Sequence, residues 1–161
     1  PDAVPSIVVQ HALDDEQALL TLIRYNRLID TFLGVSAYSL QNHLRTTIGN
    51  GVQVETDELY AGVDRNGVQY VIPVQAKGGK DEIGIIQIEQ DLMLCQEKFP
   101  DLIPRQIAAQ FLDRKTVAMF ELGIQDELLV KLRESHYRLV PASEITSDDL
   151  ALYQQASASL E

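Results

Sequence analysis

Two segments rich in Val, Ile and Tyr, residues 52–63 and 68–77, flank Asp64-Arg65-Asn66-Gly67 and leave this stretch little choice but a β-hairpin. Side chains alternate faces along a strand, so Glu55 and Asp57 share a face, as do Gln75 and Lys77, with Ala76 pointing the other way. Turn length decides whether the two pairs meet. A two-residue Asn66-Gly67 loop pairs Arg65 with Val68 and sets Asp57 opposite Ala76, which splits acid and lysine between faces. A three-residue loop, Arg65-Asn66-Gly67 with Gly67 left-handed, pairs Asp64 with Val68. It sets Asp57 opposite Gln75 and Glu55 opposite Lys77, all on one face. The longer loop is expected, because two acids, an amide and a lysine have no reason to be divided across a core.

Around the hairpin the pattern is helical, then extended again. Asp14 or Asp15 caps a predicted helix running through Leu19, Ile23, Leu28 and Phe32, with Gly34 as its stop. Leu40, Leu44 and Ile48, at four-residue spacing, predict a second helix over 38–48, ended by Gly49-Asn50-Gly51. Ile85, Ile88, Leu92, Cys95 and Phe99 predict an amphipathic helix over 83–99 before Pro100. Residues 105–112 and 116–122 read as a strand pair around Asp113-Arg114-Lys115. The segment 127–133 is open between helix and strand, 137–140 reads as strand, and Ser147 caps a last helix at 148–155. Pro73 removes a ladder donor, which predicts a bulge or an unpaired edge at that point. The order predicts an α/β sandwich with a mixed central sheet flanked by helices, within a single domain.

Composition narrows the function classes. The chain has 161 residues and a formal charge of −11, which argues against coating nucleic acid through a broad basic face. The middle is the exception: over 37–80, Glu55, Asp57, Glu58 and Asp64 are balanced by Arg45, Arg65, Lys77 and Lys80, so a polyanion is least repelled there. One cysteine, Cys95, excludes a disulfide framework and a cysteine zinc cage, and fits a cytoplasmic setting; its place on an apolar stripe predicts core packing. No apolar run approaches the roughly 18 residues needed to span a bilayer, so no membrane association is expected. The chain begins at Pro1 without methionine, as a fragment of a longer protein would. Gly78-Gly79-Lys80-Asp81 lacks the spacing of a nucleotide-binding glycine loop. His11 and His136 belong to no metal-ligand pattern.

The hairpin cluster has a definite chemistry. Carboxylates and an amide oxygen are hard ligands suited to Mg²⁺, which keeps several waters. A lysine beside them can orient a metal-bound water and offset charge on a pentacovalent phosphate. The same residues also suit a solvated strand pair with a Glu55–Lys77 salt bridge.

The stretch VETDELYAGVDRNGVQYVIPVQAKGGKD, residues 54–81, resembles the PD-(D/E)xK nuclease superfamily in the QxK form of restriction enzymes related to Mrr-type endonucleases. The resemblance covers about residues 37–112 and implies a restriction endonuclease-like three-layer sandwich. It matches Asp57 to the first metal-binding aspartate, Gln75 to the second acidic position and Lys77 to the catalytic lysine, after the apolar run Tyr70-Val71-Ile72-Pro73-Val74. It implies Mg²⁺, with Mn²⁺ as substitute, held by Asp57, Gln75 and the Ala76 carbonyl, and Glu55 in support of Lys77 or a second ion. The substrate so implied is DNA, cleaved as an endonuclease, with affinity supplied by another domain or subunit or by a homodimer. Lys80, Arg45 and His43 are candidate phosphate contacts, Lys80 because Gly78-Gly79 lets a phosphate approach the main chain. Glu16 sits where some relatives place a helical glutamate, although an acid in a first turn also serves the helix dipole. An inactive module kept for dimerisation or protein interaction is the competing expectation.

Overall fold

The computed structural model describes residues 2–10, 15–49, 51–78 and 82–159. Three helices come first, α1 (Ser6–Gln10), α2 (Asp15–Tyr25) and α3 (Leu28–Leu33), then strands β1 (Ser36–Ile48), β2 (Val52–Val63) and β3 (Gln69–Lys77). Helix α4 (Ile85–Lys98) leads to β4 (Ile103–Pro104), β5 (Gln106–Phe111), β6 (Thr116–Gln125), β7 (Leu128–Arg138) and α5 (Ser147–Ala158). The seven strands form one open sheet in the order β1-β2-β3-β5-β6-β7, with β4 also paired to β3. Pairing is antiparallel except where β3 meets β4 and β5, so the sheet is mixed and the fold is α/β.

Helices cover both faces of the sheet, as the alternation along β3 requires. Ile72, Val74 and Ala76 pack with Leu19, Ile23, Ile29 and Phe32 of α2 and α3. Val71, between them on the other face, packs with Cys95 of α4. Cys95 is buried in that core, as its place on the apolar stripe predicts, and burial pushes its thiol up to about 12.

The predicted hairpin takes the longer loop. Asp64 N–H donates to the Val68 carbonyl at 3.0 Å, and Gly67 sits at φ 81°, a left-handed conformation that suits glycine. Asp64 Oδ1 also accepts from the N–H groups of Asn66 and Val68, which pins the turn. Pro73 pairs with Leu59 of β2 without a bulge, and its other side is an unpaired stretch of edge, as the missing donor predicts. Arg105 N–H donates to the Val71 carbonyl, so by alternation the Pro73 nitrogen also faces β4 and β5. β4 pairs only through Tyr70 and Val71 and β5 begins pairing at Val74, and the missing donor falls in that break.

Three expectations are corrected. Residues 36–48 form strand β1, not a helix, with Leu44 partly buried against α4, Ile48 buried and Leu40 exposed. The first long helix is two, interrupted where Arg27 turns left-handed at φ 51° and bonds Asp30 and the Ala37 carbonyl. Thr146 caps α5 in place of Ser147, through a reciprocal capping box with Asp149. Of the two candidate caps for the first helix, Asp14 lies outside the described residues. No helix among the described residues is long and apolar enough to cross a membrane.

Candidate active site at the β2–β3 fork

The strands of the hairpin do not stay together to their far ends. The β2–β3 ladder ends at the pair Glu58–Val74. Beyond it β2 continues against β1, through Thr56–Leu44 and Glu55–Arg45, while β3 continues against β5, through Gln75–Ala108 and Lys77–Gln110. Had the hairpin register continued past that pair, it would have set Asp57 across from Gln75 and Glu55 across from Lys77.

Side chains, not main chain, bridge the opening. Asp57 Oδ2 accepts from the Ala76 N–H at 2.8 Å, replacing the ladder bond that the parting strands give up. Gln75 Nε2 donates to the Glu55 carbonyl oxygen at 3.3 Å from the opposite rim. Asp57 is half-buried and Gln75 is buried. Lys77 shares the face of Gln75 at the half-buried end of β3.

The structure thus joins the Asp57 carboxylate to the Ala76 main chain, between Gln75 and Lys77 on β3, but corrects the expected single face: Thr56, not Asp57, turns with Gln75 toward α4. It does not form the Glu55–Lys77 bridge. Glu55 is exposed and pairs with Arg45 at 3.3 Å, and among the described residues Lys77 has no carboxylate partner. Arg45 and Glu55 line a surface cleft of about 470 Å³ with Thr46, Thr47, Gln53 and Val54. His43 lies in β1 between the pairs Asn42–Glu58 and Leu44–Thr56, a register position across from Asp57. Lys80 and His11 lie outside the described residues. Glu16 stands in the first turn of α2, and His136 contacts Glu134 at 2.9 Å.

Sequence reasoning missed Asp91. It lies on α4 three residues past Ile88, so a carboxylate occupies the helix face that also buries Ile88 and Cys95. Asp91 is fully buried; its Oδ1 accepts from Thr56 Oγ1 at 2.7 Å and its Oδ2 from Gln75 Nε2 at 2.9 Å. Burial raises its carboxyl to about 6, and the Asp57 charge adds to the rise against hydrogen bonds that favour the ionised form. An acid on the apolar stripe was the one sequence signal available.

This shift has a testable sign. The folded state holds the Asp91 proton more tightly than the unfolded chain does. Its contribution to stability is therefore complete below about pH 4 and is lost as pH rises through about 6. In urea titrations, stability of the native protein relative to Asp91→Asn is expected to fall by roughly 2–3 kcal/mol across that window. Parallel curves for the two proteins would contradict it.

A second buried carboxylate follows Asp57 directly. Glu58 turns toward the opposite helical layer, where Arg24 Nε and Ser39 Oγ each donate to its Oε1 at 2.8 Å. No family model matches the chain, and neither a curated protein nor a solved structure does.

Proposed function

We propose that the chain is a Mg²⁺-dependent DNA phosphodiesterase domain of the PD-(D/E)xK kind, an endonuclease with a restriction endonuclease-like core. The observation that carries this reading is the fork itself, where Asp57 takes the Ala76 N–H at 2.8 Å and so draws the acid onto the Gln-Ala-Lys tripeptide.

The donor set fits a hard, water-rich cation. Asp57 contributes a carboxylate, Gln75 an amide oxygen, and Ala76 a carbonyl on the same strand edge as the N–H that Asp57 accepts. No group of three His, Cys, Asp or Glu able to hold a metal exists among the described residues, so a ligand-rich zinc cage has no support, whereas Mg²⁺ completes its shell with water. Bound there, Mg²⁺ supplies Lewis acidity toward a phosphoryl oxygen and lowers the pKa of the attacking water. The chain's own residues do the rest. The Lys77 ammonium, with no carboxylate partner among the described residues, orients that water and offsets negative charge on the phosphate. Glu55, on the opposite rim, assists Lys77 or holds a second ion, while Arg45, His43 and Lys80 supply phosphate contacts. The charge of −11 assigns most DNA affinity to another domain, a partner subunit or a second copy.

Isothermal calorimetry with Mn²⁺ tests the site. Wild type is expected to bind, and Asp57→Asn to reduce affinity at least about tenfold, as loss of the charged ligand requires. Absence of binding in wild type would instead support an inactive module built for protein contacts. The exposed apolar side chains Leu128 and Leu132 of β7 and Leu150, Leu152 and Tyr153 of α5 favour that second reading.

A further inference from the structure

Asp91 touches none of the groups assigned above except Gln75, yet its two oxygens are divided between the two arms of the fork. Thr56, the neighbour of Asp57 on β2, bonds one oxygen, and Gln75 on β3 bonds the other. An amide has a donating and an accepting end, whereas an ionised carboxylate only accepts. Asp91 therefore selects the nitrogen end of Gln75, and the Glu55 carbonyl accepts from the same nitrogen. Both of these bonds use Nε2, and neither uses the accepting end, Oε1.

We infer that Asp91 is a positioning residue: it locks the Gln75 amide with its oxygen free for the Asp57 site, and it dictates an amide rather than a carboxylate at position 75. This rests on the phosphodiesterase reading. A glutamate at 75 would set two carboxylates at hydrogen-bonding distance in a buried site, where like charges oppose each other's ionisation. The pair has room for one negative charge, and the charge can be carried from either side.

A double-mutant cycle tests the assignment. Wild type, Asp91→Asn, Gln75→Glu and the double variant are compared by urea denaturation and by Mn²⁺ calorimetry near pH 7.5. Gln75→Glu alone is expected to lower the unfolding midpoint, and Asp91→Asn alone to weaken Mn²⁺ binding about 10- to 100-fold, the usual range for a residue that orients a ligand. The double variant, with its single charge moved to position 75, recovers the midpoint lost by Gln75→Glu and binds Mn²⁺ at least as tightly as wild type. A purely structural Asp91 gives no such recovery, and additive effects in the cycle overturn the inference. So does Asp91→Asn with wild-type Mn²⁺ affinity. If Asp91→Asn fails to fold, the double variant must fold, and its failure to do so counts equally against the assignment. Wild type without Mn²⁺ binding overturns the phosphodiesterase reading and the ligand half of this inference, while the urea cycle still decides whether the two positions share one charge.

Discussion

Lys77→Ala is expected to remove Mg²⁺-dependent nicking of supercoiled plasmid almost entirely, lowering the rate by about 10²- to 10⁴-fold, the range of a positioned acid–base group. The fold should hardly notice. Lys77 is half-buried at the end of β3, and among the described residues it forms no ion pair that the truncation would break. The variant's unfolding free energy is therefore expected to stay within about 0.5 kcal/mol of wild type. That separation makes the experiment informative: loss of nicking with retained stability places Lys77 at the reacting phosphate. Equal cleavage by wild type and variant, purified identically, would mean a contaminating nuclease and remove the claim.

The hairpin register was legible because Gly67 accepts a positive φ and the longer loop pairs Asp64 with Val68; the single polar face was not, because Thr56 rather than Asp57 shares the α4 face with Gln75. Strand β1 was misread for a reason equally physical. Leu40, Leu44 and Ile48 recur every four residues, a spacing that satisfies a strand's period of two as well as a helix's 3.6. The β-branched run Thr46-Thr47-Ile48 and the long β2 partner decided the outcome. The break in the first helix carried no glycine to announce it. Arg27 adopts its left-handed conformation through bonds to Asp30 and Ala37 that exist only in the assembled fold. Asp57, Gln75 and Lys77 could be chosen from spacing, but their actual joining could not. The strands part after Glu58, and the Asp57 carboxylate substitutes for main chain in the gap. Asp91 was hidden because pairing across 16 and 35 residues to Gln75 and Thr56 is a tertiary fact.

The largest stability effect is expected from Arg24→Ala. Glu58 has no exposed surface, and its Oε1 is held by the Arg24 guanidinium and by Ser39. Among the described residues its Oε2 has no hydrogen-bond partner, and neither has the nearby Tyr60 hydroxyl, whose ionisation is pushed up by burial and then by the Glu58 charge. Removing the guanidinium leaves a buried carboxylate without its counter-charge, a change that costs about 3–5 kcal/mol in comparable sites. The lower end applies, because the Arg24 side chain is 37% exposed and water can enter behind it. Arg24→Met with Glu58→Leu should be far milder, since deleting both charges strands neither. Glu58 also forms the last β2–β3 pair before the strands separate, so this brace holds the base of the fork against α2. Arg24→Ala should therefore speed hydrogen exchange first at the main-chain amides of Glu58 and Val74, ahead of β6. Loss of less than about 1 kcal/mol in urea, with exchange unchanged at that pair, would show that the fork is held without the ion pair.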